Sequence, residues 1–383
     1  MAGALIRSAL RRSLSRTRHV SPVRPSAAVG LVADVYREVE RDFGLLAPPI
    51  ALHSPSPTVL AASWVLLRET LLAAGLVDRT AKEAVAAAVS LSNTCPYCVE
   101  VHSTTLRGLG AGTTGEAIAA DRLAEVDDDR LGRIAEWART AGTAPEPPGH
   151  PVPFPASHGP ELIGVAVAFH YVNRVVNVFL DESALPGTSP GLRAGLGRML
   201  SRYLGATAGG RCEPGRSLPL LPRAPLAPDL SWAAGARSTA DALARAAAEM
   251  DRAGVRSVPE PVRALVVAEL TAWRGEPRGL SRAWALDRVA DLPRTARPAG
   301  LLALLVAFSS YQVDTSVVAG LRRHGADDAT IVDVVAWASF AAARRVGSWM
   351  NDGIDVSRDP ADRSGARTQR QGRAGSTNDR DAH

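Results

Sequence analysis

Two cysteines and a histidine stand close together in the run Cys95-Pro96-Tyr97-Cys98, with His102 four residues after the second cysteine. Residues three and four apart share one face of a helix, so a helix would make these three side chains neighbours. A helix N-terminus carries partial positive charge, which favours a thiolate over a thiol. A thiolate attacks a peroxide oxygen to give a sulfenic acid, and a neighbouring thiol resolves it to a disulfide. The spacing therefore predicts a reversible dithiol that reduces peroxides.

The position of each group within this run predicts its role. Cys98 has the nearer histidine, so we expect Cys98 to attack and His102 to relay a proton. Cys95 lies nearer the helix end and is the expected resolving thiol, accessible to an external reductant. Glu83 would lie ~22 Å from Cys98 on one unbroken helix. A break at residues 92–96 would let the chain reverse, so that Glu83 faces the thiols and accepts a proton through water. The alternative for Glu83 is a surface carboxylate near a helix start.

The composition predicts that helices position these groups. The chain has 383 residues, enough for two domains, and 46% of them are hydrophobic but only 5% aromatic. Alanine, leucine, valine and arginine dominate, three of which are strong helix formers. No convincing alternation typical of strands is present. The expected fold class is therefore all-α.

The charge, the cysteine content and the apolar runs bear on the binding partners and the cellular compartment of the protein. The net charge is +5, and Lys82 is the only lysine. The arginines stand beside acidic residues on helical faces, which indicates solvated surfaces rather than nucleic-acid binding. Three cysteines in a chain this long argue against a secreted disulfide framework. No run reaches the roughly 18 apolar residues of a membrane helix. We therefore expect a cytoplasmic protein that binds neither membrane nor nucleic acid.

Periodicity and breakers predict the helices around the motif. Asp78 or Thr80 would cap the helix that contains Glu83, and Asn93 or Thr94 would cap the helix that begins at Cys95. The predicted helices span 30–43, 59–76, 81–91, 95–109, 114–123, 129–140, 160–180, 189–204, 239–253, 261–274, 281–289, 298–309, 315–324 and 329–350.

The chain also shows a weak internal repeat. Leu106–Ala111 aligns with Leu321–Ala326, and on this register the predicted helix near 161–177 aligns with the one near 331–347. The four motif residues Glu83, Cys95, Cys98 and His102 then fall on Pro298, Ser310, Val313 and Val317. We interpret this as a duplicated helical unit whose second copy lacks the catalytic residues; chance similarity of alanine-rich helices is the alternative.

The predicted organisation of the chain has five parts. They are an N-terminal arm at 1–27 with an amphipathic helix at 4–14, an active unit at 28–208, a linker at 209–228, a degenerate unit at 229–355 and a disordered tail at 356–383.

The segment from Glu83 to His102 resembles the alkylhydroperoxidase D and carboxymuconolactone decarboxylase family. Its peroxidase members carry a glutamate, a Cys-x-x-Cys twelve residues later, and a histidine four residues after the second cysteine, as here. The resemblance implies an all-helical fold and thiol peroxidase activity that needs no cofactor or metal. It also implies homo-oligomers, a hydroperoxide substrate, and a protein or lipoyl dithiol as reductant, or a peroxiredoxin partner whose disulfide is reduced. By carry-over Cys98 attacks, Cys95 faces the partner, and Glu83 with His102 relays protons.

One residue departs from the best-understood hydroperoxidases. They have a histidine just before the second cysteine, where this chain has Tyr97, which is typical of a peroxidase-related branch. A phenol has a pKa of about 10, so tyrosine cannot act there as a base at neutral pH, although it could donate a hydrogen bond. The rate and the physiological substrate are therefore harder to predict than the reaction class.

Other functions fit parts of the pattern. Cys95, Cys98 and His102 could bind structural zinc with Cys212 as a fourth ligand. A thioredoxin-like protein would place the motif after a strand, and a non-redox decarboxylase of the same family would lack the cysteine pair. A helical scaffold protein would bury inert cysteines. For His170 a hydrogen-bonded core position is expected, and for Cys212 a free surface thiol.

Overall fold

The computed structural model describes residues 17–146, 151–183 and 190–351 of the chain. The predicted amphipathic helix at 4–14 and the predicted tail at 356–383 lie outside these ranges. Within them the protein is helical, with no β-strand and a single isolated bridge between Ala73 and Cys212. The predicted all-α fold class is confirmed.

Among the described residues, nine α-helices lie in the first half of the chain and six in the second. Those of the first half are α1 (Gly30–Asp42), α2 (Pro48–Ala51), α3 (Pro57–Leu67), α4 (Arg79–Ser92), α5 (Pro96–Gly108), α6 (Gly112–Ala119), α7 (Asp129–Thr140), α8 (Gly159–Phe179) and α9 (Pro190–Ala208). Those of the second half are α10 (Arg237–Ser257), α11 (Glu260–Ala272), α12 (Ala283–Val289), α13 (Arg297–Ser309), α14 (Thr315–Arg322) and α15 (Asp328–Met350).

The two helices that carry the motif begin in different ways. Asp78 caps α4, since its Oδ1 accepts a hydrogen bond from the backbone N–H of Ala81 at 2.9 Å. The predicted cap of α5 by Asn93 or Thr94 is wrong, because Cys95 is the N-cap residue and makes no side-chain cap bond. Thr94 instead has a left-handed backbone with a φ of 53°, which turns the chain between the two helices. Pro96 is the first residue of α5. An N–H at that position would have no acceptor within the helix, so the lack of one in proline has no cost.

The helix predicted at 59–76 ends early. After α3 the backbone widens into a π-helical turn at Arg68–Leu72, and the chain leaves the helix at Ala73. Arg68 and Glu69 are both buried here and form an ion pair at 2.5 Å. Glu69 also accepts hydrogen bonds from the backbone of Gly215 and the hydroxyl of Ser217. The predicted linker is thus fixed to the first half by a buried carboxylate, an interaction that periodicity does not report.

Helix α8 lies at the centre of the protein. It packs against both α4 and α15. By length and composition the segment Ala156–Phe179 could cross a membrane, but 94% of its most apolar window is buried inside the protein. Its apolar character is therefore explained by burial on all sides.

The helix order supports the internal repeat. Helix α4 packs on α5 and α8, and in the second half α13 packs on α14 and α15 in the same order. The two counterparts α8 and α15 also pack on each other. Ser310 directly follows α13 and starts a short 3-10 turn, as Cys95 follows α4 after a short turn. Helices α6 and α7 have no counterpart between α14 and α15.

The described part of the N-terminal arm crosses both halves. The backbone N–H of Arg18 donates to the carbonyl of Phe179 at 2.7 Å, and that of Ser21 donates to Asp328 at 2.8 Å. Hydrogen bonds from one segment to α8 and to α15 hold the two long helices in a fixed relation.

Candidate active site

The two thiols of the motif are neighbours at the start of α5. The Sγ atoms of Cys95 and Cys98 lie 2.7 Å apart, and both cysteines are free. Only 1% of Cys95 and 2% of Cys98 is exposed. Formation of a disulfide therefore requires only a small adjustment of the first helical turn.

A buried acid–imidazole pair lies beside the thiols. Glu83 Oε2 and His102 Nδ1 are 2.6 Å apart, and Glu83 Oε1 accepts a hydrogen bond from Arg79 at 2.7 Å. Burial alone would raise the pKa of Glu83, but the charges of Arg79 and His102 outweigh it and the pKa is lowered. An ionised Glu83 orients the Nδ1–H of His102 toward itself, which leaves Nε2 as the nitrogen that can take a proton. The chain does reverse between α4 and α5, and Glu83 faces the motif rather than solvent.

The surroundings of Cys95 disfavour its thiolate. Burial raises the pKa of Cys95 well above its usual value, and the adjacent Cys98 raises it further. A hydrogen bond from Asn173 offsets only part of this. Burial therefore favours the protonated thiol of Cys95 over its thiolate.

The two cysteines open onto different surfaces. Cys98 and His102 line a narrow cavity together with Tyr97. The rest of the cavity wall is apolar. The apolar residues of the wall are Phe43, Leu45, Ala47, Pro48, Pro49, Leu67, Val101, Phe169, Val172, Leu200 and Leu204. Cys95 lines a groove of about 1140 Å³ between α5, α6 and α9. Charged residues border this groove: Glu100, Arg107, Glu116, Glu182 and Arg198. Cys98 therefore borders the apolar cavity and Cys95 borders the groove, and both side chains are almost fully buried.

Tyr97 belongs to the apolar cavity. Its side chain is 8% exposed, and no described residue is hydrogen-bonded to its hydroxyl. Burial raises the pKa of the phenol further, with smaller contributions from Cys98 and Cys95. Tyr97 therefore shapes the wall of the cavity and cannot serve as a base.

Replacement of Tyr97 by phenylalanine is expected to change kcat/KM for a hydroperoxide by less than about threefold. The hydroxyl makes no hydrogen bond to a described residue, so its removal breaks no such bond at the site. Steady-state peroxide consumption by the purified variant measures this. A loss of tenfold or more would show that the phenol donates a hydrogen bond during the reaction.

Sequence reasoning missed one group at the site, Arg79, and assigned another, Asn93, the wrong role. Arg79 pairs with Glu83, and the four-residue spacing of the two on one helix was the available signal. Asn93 is a side-chain bridge rather than a cap, since its Nδ2 donates to Asn173 at 3.1 Å. Asn173 in turn donates to Ser90 at 2.9 Å. Nothing in the local pattern distinguishes such a bridge from a cap.

The remaining candidate residues lie elsewhere. Among the described residues, no group of three histidine, cysteine or acidic side chains could hold a metal ion, so the zinc alternative lacks a ligand set. Cys212 is half-buried and its backbone pairs with Ala73. His170 is 1% exposed and its Nδ1 lies 3.0 Å from Asn93, which confirms the expected core position. The thioredoxin alternative requires a strand before the motif, and α4 occupies that place.

Comparison with known proteins agrees with this geometry. The family model described as the carboxymuconolactone decarboxylase family matches residues 59–143, a range that contains all four motif residues. A Mycobacterium tuberculosis protein named alkyl hydroperoxide reductase is 40% identical over 337 residues, which cover 87% of this chain and 94% of the relative. This chain therefore belongs to the carboxymuconolactone decarboxylase family, and its likeness to the relative extends over both helical halves.

Proposed function

We propose that the protein is a thiol peroxidase that reduces hydroperoxides by cycling Cys95 and Cys98 between dithiol and disulfide. The observation that carries this proposal is the contact of two free thiols beside the buried Glu83–His102 pair. The name of the M. tuberculosis relative, alkyl hydroperoxide reductase, supports the same reaction class.

The first step is attack by Cys98. His102, held by ionised Glu83, takes the thiol proton, and the Cys98 thiolate attacks the terminal peroxide oxygen. The S–O bond forms as the O–O bond breaks, and the protonated His102 returns its proton to the departing alkoxide. The products are an alcohol and a Cys98 sulfenic acid.

The second step is resolution by Cys95. Its sulfur attacks the Cys98 sulfur, the S–S bond forms, and the sulfenic oxygen leaves as water with the thiol proton. Two thiols have then supplied the two electrons that reduce one hydroperoxide. The short distance between the sulfur atoms supports this step without a large movement of α5.

The third step needs an external dithiol. We propose that a protein or lipoyl dithiol enters the groove at Cys95 and reduces the disulfide; reduction of a peroxiredoxin disulfide by the same dithiol is the related alternative. A supply of reduced dithiols favours a cytoplasmic location, which we propose on that ground. On the family resemblance we also propose homo-oligomers.

The apolar cavity at Cys98 predicts the preferred peroxide. We expect kcat/KM for tert-butyl hydroperoxide to exceed that for hydrogen peroxide by about tenfold or more, because each buried carbon contributes binding free energy. Leu204 is buried on the wall of this cavity. Leu204→Gln should lower kcat/KM for the organic peroxide and leave that for hydrogen peroxide nearly unchanged.

Leu204→Met is the matched control, since it keeps an apolar side chain of similar volume. Equal losses on both peroxides in Leu204→Gln would contradict a substrate role for the cavity. No consumption of either peroxide by the reduced wild-type protein, with slow alkylation of both thiols, would favour the helical scaffold instead.

A further inference from the structure

The turn between α4 and α5 carries Cys95 and has an unusual backbone. The N–H of Thr94 donates to the carbonyl of Leu91 at 3.1 Å. The N–H of Cys95 donates to the carbonyl of Ser90 at 2.9 Å. This pair of hydrogen bonds is the Schellman ending of a helix, in which one residue has a left-handed backbone and is usually glycine. In this protein that residue is Thr94, with a φ of 53°.

The left-handed backbone of Thr94 is strained, because the branched side chain of threonine disfavours it. A strained conformation persists only where the surrounding structure holds it. If Thr94 relaxed to an ordinary conformation, the chain would leave α4 in another direction, and Cys95 would move with it. The 2.7 Å contact between the Sγ atoms of Cys95 and Cys98 therefore requires that the turn be held in place.

Helix α8 holds this turn through Asn93. The Nδ2 of Asn177 donates to the backbone carbonyl of Asn93 at 3.1 Å, which is the carbonyl of the peptide group that leads into Thr94. The side chain of Asn93 is fixed as well. Its Nδ2 donates to Asn173 Oδ1 at 3.1 Å, and its Oδ1 accepts a hydrogen bond from Arg174 Nη1 at 3.3 Å. Both faces of the Asn93 amide are thus used by residues of one buried helix.

Two of these α8 side chains are also anchored in the second half of the chain. The Nδ2 of Asn177 donates to the hydroxyl of Ser310 at 3.1 Å, and the Nε of Arg174 donates to the carbonyl of Ala307 at 3.0 Å. An asparagine amide nitrogen carries two hydrogens, so Asn177 makes both of its bonds at once. Ser310 is the residue on which Cys95 falls in the internal repeat. Asn177 therefore joins the turn of the active unit to the corresponding turn of the second unit.

We propose that the second half of the chain positions the resolving cysteine of the active site. Anchored in that half, Arg174 and Asn177 hold Asn93 in place. Held in this way, the turn keeps its left-handed residue and presents Cys95 to Cys98. Both α8 residues act through Asn93 and are therefore positioning residues.

The inference rests on the proposed dithiol cycle, in which the Cys95 sulfur must reach that of Cys98. Ordering a flexible turn costs conformational entropy, and a turn that is already ordered in the dithiol state avoids that cost when the disulfide closes. The hydrogen bonds of Asn177 should therefore favour the disulfide and speed the resolution of the sulfenic acid.

Equilibration of the full chain with mixtures of reduced and oxidised dithiothreitol tests this inference without any peroxide. Mass spectrometry of the peptide with Cys95 and Cys98 measures the disulfide fraction. Asn177→Ala should lower the equilibrium constant for the disulfide roughly tenfold, which raises its reduction potential by about 30 mV. After one equivalent of hydroperoxide, the Cys98 sulfenic acid should form at the wild-type rate but be resolved more slowly.

Ser310→Ala guards against a variant that fails to fold, because it removes only one anchor of Asn177. It should lower the equilibrium constant in the same direction, roughly two- to fivefold. Ser309→Ala is the matched control, since the neighbouring Ser309 hydroxyl is buried and has no hydrogen-bond partner among the described residues. It should leave the constant unchanged.

Two results would overturn the inference, and they are distinguishable. Equal constants in wild type, Asn177→Ala and Ser310→Ala would show that the second half does not position Cys95, and would leave the dithiol cycle standing. No disulfide between Cys95 and Cys98 in the wild-type protein at any dithiothreitol ratio would overturn the cycle itself, and the inference with it.

Discussion

Replacement of Cys98 by serine is expected to abolish peroxide consumption, lowering kcat/KM by roughly a thousandfold or more. A serine hydroxyl stays protonated at neutral pH and is a poor nucleophile toward a peroxide oxygen. Replacement of Cys95 by serine should instead permit one turnover that ends at a Cys98 sulfenic acid. Single-turnover peroxide consumption, with trapping of the sulfenic acid by a dimedone probe, measures both results.

Cys212→Ser is the matched control for this pair, since Cys212 is the remaining cysteine and lies on the segment that pairs with Ala73. It should retain full turnover and form the same disulfide. Normal turnover in both Cys98→Ser and Cys95→Ser would contradict the dithiol cycle. A reversed pattern, with a sulfenic acid at Cys95, would contradict the proposed order and exchange the roles of the two cysteines.

Replacement of Glu83 by glutamine is expected to lower the rate of the first step roughly a hundredfold or more. Glutamine keeps the shape and one hydrogen bond but loses the charge that holds His102 ready to accept a proton. Because the pKa of Glu83 is lowered in the folded protein, its contribution is present at neutral pH and is lost as the pH falls through that lowered value. The wild-type rate should therefore show an acidic limb due to Glu83, and Glu83→Gln should lack that limb.

The non-additivity of Glu83 and His102 provides the sharper measurement. If the two act as one unit, the double variant Glu83→Gln with His102→Asn should be little slower than the slower single variant. Glu125→Gln, at an exposed ion pair with Arg122, is the matched control and should have no effect. If the double variant instead lost as much transition-state stabilisation as the two single variants together, that result would contradict a coupled relay.

Much of this arrangement follows from the sequence. The spacing of Cys95, Cys98 and His102 on one helical face is local, so the helical period alone places them together. The breaker at residues 92–96 predicted that the chain turns back, and the contact of Glu83 with His102 depends on that turn.

Other features depend on contacts between distant segments, which periodicity does not contain. The early end of the third helix depends on Arg68 and Glu69, whose partners lie in residues 213–238. Asn93 resembles a cap in sequence, but its partners His170 and Asn173 lie on α8. The separate openings at Cys98 and Cys95 depend on α9, whose placement no local pattern reports.

The most direct test of the central claim is mass spectrometry of the peptide that contains Cys95 and Cys98, before and after one equivalent of hydroperoxide. Reduced protein should lose two mass units on that peptide, as a disulfide between Cys95 and Cys98, with one equivalent of alcohol formed. An unchanged dithiol with the peroxide intact, or stable oxidation confined to Cys212, would contradict it.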